Sequence, residues 1–269
     1  MSDSTRPDRA RRASLGRRPG WPTRLAERWR GIGLSLVVVV STVWLGMTGQ
    51  LGLYIHPRYF VFTIVMAALG LIFVVASFLV PTSAGDGPRS SRRTALSLGG
   101  SAVLLLVAAG AVLAVPPATL TSATATQREV NSGGLDTTAA ADQAATLVGT
   151  GDYERLSVKE WVSLLAQSDD PALYTDKTAR VTGFVLPDSS DPDNVFYVAR
   201  FVVTCCAVDA QPIGVPVYLP GWSTRYSTDE WVEVTGTFRA NPSATAQDTL
   251  AVDPTAVRPV EQPSDPYVY

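Results

Sequence analysis

The sequence predicts a membrane α-helical region of three transmembrane helices, followed by a C-terminal mainly-β domain: an OB-like small barrel with one packed helix. Three observations carry this expectation. Long stretches without charge crowd the first part of the chain, strand-like alternation broken by turn residues fills the last part, and basic and acidic residues segregate between the two.

Residues 31–54, 59–80 and 95–115 hold no charged side chain. Each is close to the ~20 residues that cross about 30 Å of hydrocarbon. The first is too long for the apolar stretch of a secretory signal, and no small-residue cleavage pattern separates it from the second, so it is expected to stay in the mature chain. Basic residues set the orientation. Residues 1–30 form a basic cytoplasmic tail with nine arginines, the first connection holds only Arg58, and the second holds Arg89, Arg92 and Arg93. Everything after Val115 is then extracytoplasmic, giving a multi-pass protein of the cell membrane. That outer portion carries 9 basic residues against 20 acidic, which argues against nucleic acid as a partner. The tail suits anionic inner-leaflet lipids of the bilayer. No ionisable residue lies at the centre of a span, so the chain shows no ion path of its own. Only Lys159 and Lys177 are lysines among the 22 basic residues, a usage that suggests a GC-rich bacterial genome.

Residues 116–152 are rich in Ala, Thr, Ser and Gly and read as a flexible extracytoplasmic linker, with a short helix around 138–147. Residues 153–269 form the OB-like β domain. Leu156, Trp161, Leu164 and Leu165 fall at helical spacing, and Ser157 with Glu160 makes a capping box at the start of that helix. Strands are expected at 178–186, 195–205, 213–219, 231–238 and 249–260, the last interrupted at Pro254. Gly183 and Gly236 sit mid-strand, where a barrel strand bends sharply. Residues 220–228 are too few for the helix that usually joins the third and fourth strands of such a barrel.

The stretch from Phe196 to Pro212, the run from Asp229 to Thr237, the ending Pro263-Ser264-Asp265-Pro266-Tyr267-Val268-Tyr269 and the connection Tyr54-Ile55-His56-Pro57-Arg58-Tyr59 resemble the YcgQ-like family of permease subunits. The resemblance implies a membrane protein encoded with a larger multi-spanning permease and assigns it no activity of its own; the chain is not expected to be an enzyme. Members with a His-rich loop after the second crossing suggest divalent metal; residues 81–94 hold no histidine here.

Chemistry-bearing side chains converge in sequence at one place, around the only two cysteines, Cys205 and Cys206. With Asp209 they could ligate zinc or another soft metal. Adjacent residues of a strand face opposite ways, so one ion takes both only if the chain leaves the strand at Thr204 or Cys205. Redox chemistry fits poorly, because neighbouring cysteines close a strained ring and Arg200 lies ~20 Å away along an extended strand. The structural alternative places Tyr197, Ala199, Phe201, Val203 and Cys205 on a face packed into the barrel and leaves Cys206 outward with Val198, Arg200 and Thr204. Arg200, Cys206 and Asp209 then become candidate partner or ligand contacts. Asp188, Asp191 and Asp193 imitate a calcium loop but lack its glycine and closing glutamate. His56 before Pro57 reads as a turn at the membrane surface. No catalytic residue and no established cofactor is expected. The chain reads as an accessory subunit whose outer domain presents or gates substrate for, or contacts, a permease; the alternative is a free-standing cell-surface metal- or metalloid-binding protein.

Overall fold

The computed structural model describes residues 21–76, 103, 105–107, 109–111, 119–132, 151–168, 170–175 and 177–269. It divides into two compact units. One comprises 1–48 and 61–116, the other 49–60 and 117–269.

In the first unit, helix α1 spans Trp21–Met47 and helix α2 spans Phe60–Ala76. The apolar part of α1, Gly31–Met47, is shorter than the stretch expected at 31–54. The helix stops because Gly49 turns to a left-handed φ of 73°, and residues Gln50–Leu53 wind into a short 3-10 turn. Among the described residues one helix, Pro57–Ala76, is long and apolar enough to cross a membrane. Its Val61, Phe62, Ile72 and Phe73 side chains stand exposed, as lipid-facing side chains do. Of the third expected crossing, 95–115, the described residues are helical and the rest lie outside the described residues, as do 77–80. Leu105 packs where Gly33 of α1 offers no Cβ.

The second unit is a six-stranded mixed sheet with helices. Its short helix α3 is Ser122–Ala125, helix α4 is Val158–Gln167 and α5 is Pro171–Tyr174. The strands are β1 Thr178–Pro187, β2 Val195–Val202, β3 Gln211–Tyr218, β4 Trp231–Ala240, β5 Leu250–Pro259 and β6 Tyr267–Val268. β1 pairs with both β4 and β2, so β1, β2, β3, β5 and β4 close into a ring, with β3 and β5 parallel. The ring closes where glycine allows it. A Cβ on Gly183 would collide with the Ala199 carbonyl, and one on Gly236 with the Asp253 carbonyl. Pro254 does not break β5; a register shift opposite Thr235 and Gly236 absorbs it as a bulge. The β3–β4 connection holds only the 3-10 turn Trp222–Thr224.

Ser157 accepts from the Glu160 N–H and Glu160 reaches back to the Ser157 N–H, the reciprocal cap that starts α4. The amphipathic helix delivers Trp161, fully buried, to a core shared by all five ring strands, including Val181, Val198, Val215, Val234 and Val252. The expected inward face of β2 is inverted. Phe196 and Val198 join this core, whereas Tyr197, Ala199, Phe201 and Val203 pack with Phe184, Leu186, Ala125 and Tyr267 in a second cluster. Alternation sorted the residues into the right two faces but took the wrong one as inward, because both are buried.

The covering layer comes partly from the segment expected to be a linker. In 116–152, the described residues 119–132 are docked on the sheet: Asn131 holds the N–H and C=O of Gly214 at 2.9 and 3.0 Å, and Ser122 binds the Asp229 carboxylate. The expected helix at 138–147 lies outside the described residues.

Candidate functional site

β2 ends at Val202, three residues before the expected end. Val203 pairs its N–H with the Val268 carbonyl of the C-terminal strand, and the chain then turns away. The turn is built by Asp209. Its Oδ1 accepts from the Thr204 N–H at 3.2 Å, and its Oδ2 from the N–H groups of Cys205 at 2.7 Å and Cys206 at 3.4 Å. Three donors on one carboxylate replace the ladder bonds that the strand has given up. With the strand left behind, alternation no longer separates the cysteines.

The two Sγ atoms lie 3.5 Å apart without a disulfide. A ligand atom from each of Cys205, Cys206 and Asp209 falls within 4.8 Å of the others. Cys205 is exposed and Cys206 half-buried, the reverse of the inward Cys205 and outward Cys206 expected from alternation. Cys206 is covered because it forms an isolated antiparallel bridge with Ile55, framed by His56 N–H to the Cys205 carbonyl at 3.0 Å and Ala207 N–H to the Tyr54 carbonyl at 2.8 Å.

The electrostatics favour a proton on the Cys205 sulfur. The Cys205 thiol is pushed up to about 12, chiefly by its hydrogen bond to Asp209, then by its bond to Cys206 and the surrounding negative charge. Burial pushes the Asp209 carboxyl up, but its bonds from the Cys205 thiol and the three backbone N–H groups outweigh that and hold it below the usual carboxylate range. A thiol so raised is a weak nucleophile at neutral pH.

Arg200 is not brought to the pair. Its Nε donates to the Thr182 carbonyl at 2.8 Å, its guanidinium reaches the Asp265 carbonyl at 3.4 Å, and it lies 5.3 Å from the Trp231 ring centroid. His56 does come close, although the sequence places it only at a turn between helices. Its Nδ1 accepts the Arg58 N–H at 3.1 Å, its ring meets Tyr269 edge-on at 4.9 Å, and burial with the charges of Arg58 and Lys159 lowers its pKa. Tyr269 in turn donates to the Gly52 carbonyl at 2.9 Å and accepts from Lys159 through its backbone oxygen. Sequence reasoning missed this wall of Tyr54, Ile55, His56 and Tyr269. Its only signal was that the same segments carry the family resemblance, which says nothing about contact.

A cavity of about 440 Å³ opens elsewhere, between 125–130 and β1–β2, lined by Arg128, Asp188, Tyr197 and Gln247 among others. Tyr197 Oη stands 2.9 Å from Asp188 and 2.5 Å from Asp248. Asp188 also accepts the Ser190 and Asp191 N–H groups. Desolvation pushes the Asp248 carboxyl up, against the lowering effect of its bond from Tyr197. Asp188 thereby organises a turn, and Asp191 bonds Asn194 and Ser243; these acids close their own loop.

Residues 138–269 match the family model described as the DUF1980 C-terminal domain. No curated protein and no solved structure matches the chain.

Proposed function

We propose that this protein, which carries a DUF1980 C-terminal domain, is an accessory subunit of a multi-spanning permease in the cell membrane, and that its β domain captures a ligand at Cys205, Cys206 and Asp209 for the partner. The observation that carries the reading is the isolated bridge between Ile55 and Cys206. It ties the chemistry-bearing turn to the segment that joins α1 to α2. A ligand at the cysteines therefore acts one hydrogen bond away from the backbone between two apolar helices.

The same packing supports a multi-pass topology. Residues 49–60 and 117–269 belong to one compact unit, which supports a topology with both on one side of a bilayer and an even number of crossings between them. α2 supplies one, and the uncharged stretch 95–115 supplies the other. The nine arginines of residues 1–30 favour a cytoplasmic tail and so an outer β domain. The ring order of the domain, with β1 closing on both β2 and β4, supports an OB-like barrel, a fold whose surfaces commonly serve binding.

Purification from native membranes in mild detergent tests the role. A second, multi-spanning polypeptide is expected to co-elute in fixed stoichiometry. Recovery of the chain alone overturns the accessory reading and leaves the free-standing cell-surface binding protein.

A further inference from the structure

We infer that the Cys205 and Cys206 thiols and the Asp209 carboxylate form the site for a tetrahedral, borderline-soft dication of the zinc class, with a fourth position open to an exchangeable ligand. This names the cargo of the capture role proposed above and rests on that reading for its biological purpose.

The donor set selects the class of ion. Two sulfurs disfavour calcium and magnesium, which take oxygen shells. Geometry then narrows it further. A tetrahedral ion with metal–sulfur bonds of about 2.3 Å holds two sulfurs ~3.8 Å apart, whereas a linear two-coordinate ion at the same bond length needs ~4.6 Å. The sulfurs stand at 3.5 Å, so a small torsional adjustment admits the tetrahedral ion, while the linear one requires the turn to open.

Asp209 keeps capacity for the ion. A carboxylate offers about four lone-pair positions, and backbone N–H groups take three of them. One position is left for the ion, and the three ligand atoms lie within 4.8 Å of one another. Binding follows M²⁺ + 2 RSH → M(SR)₂ + 2 H⁺, with both protons leaving to solvent and the carboxylate closing the third bond. The three N–H groups meanwhile hold the carboxylate in position, as outer-shell donors do.

His56 does not complete the shell in this state. Its Nδ1 is occupied by the Arg58 N–H, so the neutral ring carries its proton on Nε2 and has no lone pair left for a metal. Structural zinc sites close with four protein ligands, and sites with three keep an exchangeable position. Three donors on an exposed turn suit an ion that is handed on.

Cobalt(II) titration of the purified full-length chain, reduced and stripped of metal, tests the site without any partner. One cobalt per chain is expected, with a thiolate-to-cobalt charge-transfer band and tetrahedral d–d bands, both removed by added zinc. Cys205→Ser and Cys206→Ser should each weaken binding by at least about a hundredfold, and Asp209→Asn by at least about tenfold, since loss even of outer-shell partners costs 10–100-fold. Val208→Ala, on the same turn, should leave binding unchanged. Circular dichroism and the metal-free thermal transition of each variant show that the fold is retained; should Asp209→Asn fail there, Asp209→Glu, which keeps the charge, is expected to retain tetrahedral cobalt. No thiolate band, one cobalt per two chains, or an affinity insensitive to either cysteine overturns the inference. Failure here leaves co-purification with a permease untouched, and failure to co-purify leaves the cobalt result standing.

Discussion

The β domain has two buried clusters that differ in how they are made. The first fills the strand ring and is closed by α4, and its residues come from one continuous stretch, Leu156 to Val252. The second lies on the other face of β1 and β2, where Phe184, Tyr197, Ala199 and Phe201 are covered by Ala125, Tyr267, Leu53, Leu120 and Tyr269. These covering residues come from three distant parts of the chain. The first cluster is the interior of the barrel; the second packs the helix connection, the 119–132 segment and the C-terminal strand against its outer face. The candidate site lies at the edge of the second cluster, beside Val203 and Ala210. Its geometry therefore depends on the fastening as much as on the barrel.

The largest effect should come from the first cluster. Trp161 is fully buried against Phe238 at 4.8 Å between ring centroids, and its indole N–H has no partner among the described residues, so packing alone holds it. Trp161→Ala is expected to cost about 3–5 kcal/mol and to lower hydrogen-exchange protection across all five ring strands together. Loss confined to α4 would break the division into two clusters.

A smaller, local effect is expected in the second. Asn131→Ala orphans the N–H and C=O of Gly214 and should cost about 1–3 kcal/mol. Exchange and proteolysis should increase in 119–132 while the ring strands keep their protection. Cooperative unfolding of the whole domain by this variant would show that the seam is part of the folding core.

The smallest change is chemical. The raised Cys205 pKa means that the folded protein favours the neutral thiol, an advantage present below the unfolded thiol pKa and lost as pH rises toward about 12. Alkylation of Cys205 in a Cys206→Ser background should be slow at pH 8 and climb steeply above it. Asp209→Asn removes the leading cause, so the rate at pH 8 should rise, by up to about tenfold for each unit the pKa falls. A rate already equal to that of an ordinary thiol would remove Asp209 from the site's electrostatics.

Features that depend on near neighbours were legible beforehand. Ser157 and Glu160 are three apart and cap a helix by themselves, and Gly183 and Gly236 mark close strand approaches because nothing larger fits there. The cysteine turn was half legible. That both thiols serve one ion only if the strand ends early follows from alternation, but where β2 ends is decided by the Asp209 carboxylate and by β6 pairing with Phe201 and Val202. The surroundings of Arg200 were not legible, because its partners Thr182 and Asp265 are supplied by another strand and the C-terminal segment.

The sequence alone determined the apolar helices, the acidic C-terminal portion, the strand-forming stretches and the identity of the donor atoms, because these follow from composition and short-range periodicity. Only the tertiary structure decided which face of β2 looks inward, that residues 119–132 are docked, and that Ile55 meets Cys206. The physical reason is separation along the chain. Tyr269 reaches Gly52 across 217 residues, and a contact of that span is selected by the packing of whole surfaces, which no local pattern encodes.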